Sequence, residues 1–210
     1  MVKTYILNTE FLDNKELFNS KLESVDKERK EKILRLPFAN QKLSLGAGLL
    51  IKEFVGEISS YNKHRKPISA NGEFNVSHSG KYVVLSKSKK PVGVDIEILQ
   101  RGKNKIAHRF FTIDECIQID RSYDRDNTFT RIWTLKEAFL KCIGTGIGEY
   151  FSKFTIFLDE EEVKISQNIQ SNPVYFKEYF VEGYKLAVCS EDNSFSREIE
   201  DVTQKVFAKI

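Results

Sequence analysis

Apolar side chains in the N-terminal half follow first a strand-like and then a helical spacing. Residues 2–7 alternate as an opening strand does. Residues 26–36 are highly charged with a narrow apolar edge, which predicts a helix that ends at Pro37. Residues 40–58 are apolar at spacings of three and four, which predicts a longer helix with one buried face. Its buried side chains are Leu43, Ala47, Leu50, Ile51, Phe54 and Ile58.

The spacing then changes, and a second cycle of helices and strands follows. Short strands are expected at 74–77, 82–86 and 92–96, with turn signals at Ser79-Gly80 and Lys90-Pro91. Thr112 to Glu115 has the sequence of a capping box, and the charged residues 120–127 predict a loop. Residues 128–143 predict a strong helix that ends at Gly144. Further strands are expected at about 154–158, 162–166, 174–181 and 184–190.

Each half therefore runs from helices into antiparallel strands, which predicts an α+β fold. We expect two similar α/β subdomains, an N-terminal one over residues 1–100 and a C-terminal one over residues 101–210. No Gly/Ser-rich linker, low-complexity tract or short-period repeat divides the sequence.

The composition is that of a globular protein. Hydrophobic residues make up 40% of the 210 residues and aromatic residues 12%, which is enough for a sizeable core. The 33 Lys and Arg exceed the 30 Asp and Glu by only three charges, a balance too mild to indicate nucleic-acid binding.

The cysteines and the start of the chain favour a reducing compartment. Cys116, Cys142 and Cys189 are far apart and lack a CxxC or Cys/His pairing, so we expect neither a disulfide framework nor a zinc site. The N-terminus turns polar at Asn8, too early for a signal peptide. The longest apolar stretch, residues 45–51, is too short to span a bilayer. We therefore expect a soluble, cytoplasmic protein.

The expected strand at 92–96 carries a pair of carboxylates. Residues two apart on a strand point to the same side, so Asp95 and Glu97 share one face while Val94 and Ile96 face the core. Two oxygen ligands at this spacing suit Mg²⁺. An ordinary solvated strand face would have the same pattern.

The expected helix at 128–143 adds a third carboxylate. Ile132, Leu135, Phe139 and Cys142 form its buried stripe. Trp133, Glu137 and Lys141 stand four residues apart on another face. A Glu and a Lys at this spacing often form only a surface ion pair. The Trp on the same face indicates that this face packs or lines a cleft.

A strand end with hydroxyl side chains supplies a possible phosphate site. In residues 74–80 the strand ends at Ser77, His78 and a tight turn, where N–H and side-chain groups can hold a phosphate. A structural histidine is the plainer alternative. The motifs of P-loop, Rossmann and zincin sites are missing from the sequence. The glycines at 144–148 follow a helix, which indicates a helix C-cap and turn.

Taken together and in order, these segments resemble the Sfp-type 4′-phosphopantetheinyl transferases over roughly residues 26 to 190. The matching segments are Lys66-Pro67, residues 74–79, residues 93–97, Arg109-Phe110-Phe111 and residues 133–141. The resemblance implies two α/β subdomains related by pseudo-two-fold symmetry, with the active site at their interface, and it implies a monomer.

The family transfers the phosphopantetheine arm of coenzyme A (CoA) to a serine of an apo acyl or peptidyl carrier protein and releases adenosine 3′,5′-bisphosphate. By resemblance, Asp95, Glu97 and Glu137 would hold Mg²⁺, or alternatively Mn²⁺, with the CoA pyrophosphate. Glu137 would act as the general base for the serine, directly or through water. Lys141 would pair with the transferred phosphate. The apolar Ile96 cannot be a ligand, so water would complete the metal shell.

The resemblance also assigns side chains to the rest of CoA. Ser77 and His78 would contact the region of the 3′-phosphate, and Lys66 the adenine or phosphate side. In the N-terminal half, the family places basic residues before the long helix and a hydroxyl residue within it, and Arg29, Lys32 and Ser44 match these positions by spacing. A solvated charged helix is the alternative for these positions.

The sequence gives a weaker indication of where the carrier protein docks. Carrier domains are small and acidic, so we expect a docking surface of basic and apolar groups within residues 112–127. The available side chains are Ile113, Ile117, Ile119, Arg121 and Arg125. The family serves fatty-acid, polyketide, peptide-synthetase and siderophore pathways. The length favours secondary metabolism, including antibiotic biosynthesis.

Two other functions fit parts of the pattern. A Mg²⁺-dependent phosphohydrolase of nucleotides or CoA would use the same carboxylates and need no carrier, but it would not need the matches at Ser77-His78 and Lys66-Pro67. A non-enzymatic basic module would use the charges of residues 27–42. Glu28 and Glu31 weaken that alternative, because a face that binds a phosphate backbone avoids acids.

Overall fold

A computed structural model describes residues 1–61, 67–146, 150–159 and 162–208. The strands are β1 (Lys3–Asn8), β2 (Ser60–Tyr61), β3 (Pro67–Ile68), β4 (Glu73–Ser79), β5 (Tyr82–Ser88), β6 (Val92–Ile98), β7 (Thr155–Leu158), β8 (Val163–Ser166), β9 (Tyr175–Val181), β10 (Tyr184–Ser190) and β11 (Glu200–Asp201). The helices are α1 (Lys15–Leu22), α2 (Lys27–Leu34), α3 (Phe38–Phe54), α4 (Ala107–Phe110), α5 (Ile113–Arg121), α6 (Arg125–Ile143) and α7 (Thr203–Ala208). Short 3₁₀ turns lie at Thr9–Asp13 and Lys103–Ile106.

The two halves of the chain repeat one topology. In the first sheet, β5 lies between β1 and β4 and is antiparallel to both. In the second sheet, β10 lies between β6 and β9 and is antiparallel to both. The long helices α3 and α6 occur at the same place in each series, before the hairpin. The predicted α+β fold with two similar halves is confirmed, and this repeat is what a pseudo-two-fold relation requires.

Side-chain alternation along the strands stacks the layers. On β1, Tyr5 and Leu7 face the core under α3, whereas Ile6 faces the second sheet. On β6, Val92, Val94 and Ile96 lie in that inter-sheet core, and the intervening side chains face α6. The layers therefore run α3, first sheet, second sheet, α6. The carboxylates of β6 lie on the side of the second sheet that α6 covers.

The division of the chain into 1–100 and 101–210 remains a prediction. β6 precedes that boundary and hydrogen-bonds to β10 of the second sheet. At the other end, β11 pairs with β1 of the first sheet, and α7 packs into the first core. Both elements link the two halves.

The predicted long helices differ from the observed ones at their ends, and the short helices α1, α4 and α7 were not predicted. α3 ends at Phe54, so Ile58 lies beyond it and packs against the core from a loop. α6 begins at Arg125 because the Asp124 side chain accepts the N–H of Asn127 and caps the helix. The loop expected at 120–127 is therefore short. The capping box at Thr112 and Glu115 is confirmed, as is the C-cap at Gly144, which has a φ of 73°.

Candidate active site

A glycine allows α6 to lie directly on β6. A Cβ atom at Gly93 would lie 2.1 Å from the carbonyl oxygen of Ala138 and 2.3 Å from the amide nitrogen of Cys142. Both atoms belong to the helix backbone, so only glycine permits this approach. Glu137 and Lys141 project from the same part of α6, next to Asp95 on β6.

Asp95, Lys141 and Ser77 form the centre of the site. The Lys141 Nζ donates to Asp95 Oδ1 at 2.5 Å and to Ser77 Oγ at 3.0 Å. Ser77 Oγ in turn donates to the same Asp95 oxygen at 2.7 Å. The three residues come from α6, β6 and β4, so the site lies where the two sheets meet.

The site holds more negative charge than its one lysine balances. Asp95 is 3% exposed, and its Oδ2 is buried without a hydrogen-bond partner. Burial raises the pKa of Asp95, which Lys141 opposes. Burial and then the charge of Asp95 also raise the pKa of Glu97. Burial, followed by the charge of Asp95, raises the pKa of Glu137 to about 7. A nearby positive charge would oppose the repulsion between these carboxylates and favour their ionised forms.

These donors fit a divalent cation chemically, although they do not yet form a coordination shell. Within the described ranges, no group of three His, Cys, Asp or Glu side chains is arranged as metal ligands are. Lys141 accounts for part of this, because its ammonium group already contacts Asp95 Oδ1. The orphaned Asp95 Oδ2 and the all-oxygen donors are the features that suit Mg²⁺ or Mn²⁺.

The residue before Glu137 points the other way and fixes the rotation of α6. Lys136 is fully buried, and its Nζ donates to Glu115 Oε1 at 2.7 Å and to the carbonyl oxygen of Phe154 at 2.6 Å. The same Glu115 oxygen accepts the N–H of Ile156 at 2.8 Å. This buried pair joins α5, α6 and β7, and consecutive helix positions then direct Glu137 towards β6.

A cavity of about 120 Å³ opens beside Glu97. Its walls are Glu97, Ile98, Gln100, Lys103, Ile106, Phe129, Thr130 and Trp133. Trp133 packs against Phe151 with ring centroids 4.7 Å apart, so the indole is part of an aromatic cluster and also a cavity wall. The face of α6 that carries Trp133 both packs and lines a cleft, as the sequence predicted.

Of the other side chains predicted to contact CoA, His78 lies near the cluster. His78 follows Ser77 and is partly exposed to solvent. Burial, followed by the charge of Lys141, lowers the pKa of His78. Lys66 lies outside the described residues.

Arg29 and Ser44 come together in the N-terminal half. Arg29 Nη2 lies 3.5 Å from the carbonyl oxygen of Ser44, and its side chain crosses Gly48 of α3. The Nε atom of Arg29 is buried without a partner, and burial lowers the pKa of this guanidinium. Lys32 is exposed on α2. No hydrogen bond or ion pair among the described residues joins Arg29, Lys32 or Ser44 to the Asp95 cluster.

Sequence reasoning missed two side chains of β4. Asn75 Oδ1 accepts the N–H of Val94 at 3.1 Å, and Ser79 Oγ donates to Glu97 Oε2 at 3.2 Å. Asn75, Ser77 and Ser79 are every second residue of one strand, and that polar alternation was the available signal.

The expected docking segment is partly exposed. Ile113 is 80% exposed and Ile117 40% exposed on the outer face of α5, next to the exposed Arg121 and Arg125. The prediction that Ile119 belongs to this surface is wrong. Ile119 is 2% exposed, because it lies with Cys116 on the inner face of the helix.

Comparisons with known proteins agree with the geometry. The profile of the 4′-phosphopantetheinyl transferase superfamily matches residues 91–189. The 4′-phosphopantetheinyl transferase gsp of Aneurinibacillus migulanus is 31% identical over 194 residues, which cover 84% of this chain and 81% of that protein. The 4′-phosphopantetheinyl transferase Sfp of Bacillus subtilis is 33% identical over 148 residues, or 68% of this chain and 66% of that protein.

A weaker likeness exists to a solved structure. The holo-(acyl-carrier-protein) synthase of Bacillus anthracis in complex with CoA (3′,5′-ADP) is 20% identical, with a TM-score of 0.43 over 48% of this chain and 93% of that one.

Proposed function

Because this chain belongs to the 4′-phosphopantetheinyl transferase superfamily, we propose that it transfers the 4′-phosphopantetheine arm of CoA to a serine of an apo acyl or peptidyl carrier protein. The single observation that carries this proposal is the buried cluster of Asp95, Lys141 and Ser77, with Glu137 beside it. It brings together three of the segments that carry the family resemblance, residues 74–79, 93–97 and 133–141.

Glu137 is the proposed general base. A carboxylate with a pKa of about 7 is ionised in part at neutral pH and is basic enough to accept a proton from a hydroxyl in the transition state. The serine oxygen forms a bond to the β-phosphorus of CoA, and the bond from that phosphorus to the bridging oxygen breaks. Adenosine 3′,5′-bisphosphate departs with the bond's electron pair, and Glu137 takes the serine proton.

Lys141 is the proposed partner of the transferred phosphate. Its ammonium group already lies among the oxygens of Asp95 and Ser77, and an arriving phosphate would offer it further acceptors. Asp95, Glu97 and Glu137 would hold a Mg²⁺ or Mn²⁺ ion, which would neutralise the pyrophosphate when bound.

The rest of CoA would bind along the first half of the chain. We assign Ser77, His78 and Lys66 to the 3′-phosphate and adenine side. Arg29, Lys32 and Ser44 form a second group of contacts. The buried Arg29 Nε without a partner supports this assignment, because a guanidinium in such a place gains from an anion.

The carrier would dock on the outer face of α5. Ile113 and Ile117 supply exposed apolar area, and Arg121 and Arg125 supply the positive charge that an acidic carrier requires. The cavity beside Glu97 and Trp133 lies next to the carboxylates and would admit the reacting groups.

We also propose a monomeric enzyme of the cytoplasm that serves non-ribosomal peptide, polyketide or siderophore synthesis, including antibiotic biosynthesis. Cys116, Cys142 and Cys189 are buried free thiols, as in proteins of reducing compartments. None of the helices in the described ranges combines the length and apolarity of a membrane-crossing helix.

The test follows the fate of CoA with and without a carrier. The purified protein is incubated with CoA and Mg²⁺, in the presence or absence of an apo peptidyl carrier domain, and adenosine 3′,5′-bisphosphate is measured by chromatography. We expect the nucleotide to appear only when the carrier is present. Release at the same rate without a carrier would contradict the proposal and identify a phosphohydrolase.

A further inference from the structure

Side chains of β4 form much of the contact between the two sheets. β4 lies at the edge of the first sheet and β6 at the edge of the second. Asn75 accepts the N–H of Val94, and Ser77 donates to Asp95. Ser79 contacts the end of β6, where Glu97 projects. The metal-ligand candidates of β6 are therefore held partly by a strand that belongs to the other half of the chain.

Ser79 makes two bonds that fix its direction. Its Oγ accepts the N–H of Ile98 at 3.1 Å and lies 3.2 Å from Glu97 Oε2. A hydroxyl has one proton to give, and a backbone N–H cannot accept it, so the proton is directed to the carboxylate. Ser79 of β4 therefore bridges the Glu97 side chain and the backbone of the next residue on β6, which restrains the carboxylate.

Glu97 needs such a tie. It is half-buried, and its negative charge lies close enough to Asp95 for that residue to raise its pKa. Like charges at close range repel, and solvent is accessible to Glu97 on one side, so an unrestrained side chain would turn outwards. The Ser79 hydroxyl is the side-chain group to which Glu97 is hydrogen-bonded in this structure.

We propose that Ser79 is a positioning residue that keeps the Glu97 carboxylate beside Asp95, so that the two can act together on a divalent cation. This inference rests on the proposed function of the site. Partners of this kind, one bond removed from the ligand atoms, typically change metal affinity by 10- to 100-fold. Ser79 itself contacts neither substrate nor metal in this account.

The test measures metal binding directly. Free Mn²⁺ is followed by electron paramagnetic resonance while it is titrated with protein and CoA, with no carrier present. We expect Ser79→Ala to weaken Mn²⁺ binding about tenfold and Ser79→Thr, which keeps the hydroxyl, to restore it. In a Glu97→Gln background, Ser79→Ala should have no further effect, because the two residues act as one unit.

Asn75→Ala is the matched control for a purely structural role. It removes a bond between the same two strands without touching a carboxylate. Equal Mn²⁺ binding in wild type and Ser79→Ala would overturn the inference, as would equal weakening in Ser79→Ala and Asn75→Ala. If wild type does not modify a carrier at all, the proposed function fails instead, and the titration still reports whether Ser79 acts on Glu97.

Discussion

The side chain of Asp95 is held by residues that are distant in sequence. Burying its carboxylate costs free energy, which these neighbours offset in part. A buried carboxylate is tolerated only when charge and hydrogen bonds compensate it. One Asp95 oxygen has Lys141 and Ser77, whereas the other has no partner. Such an arrangement is expensive for stability alone and is typical of a site that binds a cation or an anionic substrate.

A second carboxylate, Asp126, anchors one wall of the cavity. Its side chain accepts the N–H groups of Gly102 at 2.8 Å and Asn104 at 3.1 Å, and these bonds lower its pKa. Because the folded protein favours the ionised form, the contribution to stability is present above the unfolded pKa of about 3.9. It is lost as the pH falls through the lower folded value. Asp126→Ala should therefore lower the melting temperature at pH 7 and have a smaller effect near pH 3.

Thermal melts of both proteins at the two pH values check this prediction. An equal difference at both would show that Asp126 does not stabilise the fold through its charge. The adjoining Lys103 and Ile106 line the cavity beside Glu97, so a loss of CoA affinity in the same variant is also expected.

The sequence predicted residues whose signal is local and missed those whose partner lies on another sheet. Strand alternation predicted that Asp95 and Glu97 share a face, helical spacing singled out Glu137 and Lys141, and the family resemblance suggested their roles. Ser79 was included in the strand end that could hold a phosphate, but its bond to Glu97 was not predicted, because that partner is 18 residues away on another sheet.

At the scale of elements, the contact between α6 and β6 decides the geometry of the site. Gly93→Ala would place a Cβ atom 2.1 Å from the Ala138 carbonyl oxygen, so the helix must move away from the strand. Overpacking of this kind costs about 1–3 kcal/mol. We expect transfer activity to fall by more than stability explains, because Glu137 and Lys141 move with the helix. Circular dichroism melts measure the loss of stability, and activity measured at a temperature where the variant is folded gives the effect on the site. Wild-type stability and wild-type activity in the variant would contradict this prediction.

The buried pair of Lys136 and Glu115 sets the rotation of the same helix. Both side chains are fully buried, so Lys136→Met would leave an uncompensated carboxylate inside the core. Breaking such a pair costs about 3–5 kcal/mol of unfolding free energy. Urea unfolding measures this loss, and Lys136→Met/Glu115→Gln should recover part of it. A loss below about 1 kcal/mol in the single variant would mean that packing alone orients α6.

The predicted elements lie close to the positions that apolar spacing gave them, whereas their ends do not, and the short helices α1, α4 and α7 were not predicted. The strands at 74–77 and 82–86 are found within β4 and β5, and the capping box begins α5 as expected. The start of α6 was placed late because the Asp124 cap lies within a charged stretch that resembles a loop. Ile119 is buried because it lies three residues after Cys116, on the same inner face of the helix.

At the scale of the whole molecule, the candidate active site lies where the two halves of the repeated topology meet. β4 and β6 are the edges at which the two sheets meet, and each contributes to the cluster around Asp95. On the outer face of α5, Ile113 and Ile117 are exposed. The meeting of the sheets cannot be read from local spacing, because it depends on how the halves pack.

Reversing the charges of Arg121, at the end of α5, and Arg125, at the start of α6, tests the proposed docking face. Arg121→Glu/Arg125→Glu should raise the KM for the carrier by about tenfold, because complementary rim charges guide an acidic partner. The KM for CoA should stay unchanged, since both arginines are exposed and do not contact the Asp95 cluster in the structure. Steady-state kinetics with each substrate varied in turn would decide. An unchanged KM for the carrier would contradict the proposal that the carrier docks on this face.

The most direct test of the account is the intact mass of an apo peptidyl carrier domain after incubation with CoA, Mg²⁺ and the protein. Wild type should add the mass of phosphopantetheine to the carrier. Glu137→Gln should slow this reaction by at least about a hundredfold, because it removes the proposed base. The exposed Glu182→Gln, which changes charge equally, should react as wild type does. An unmodified carrier with wild type, or undiminished transfer by Glu137→Gln, would contradict the central claim.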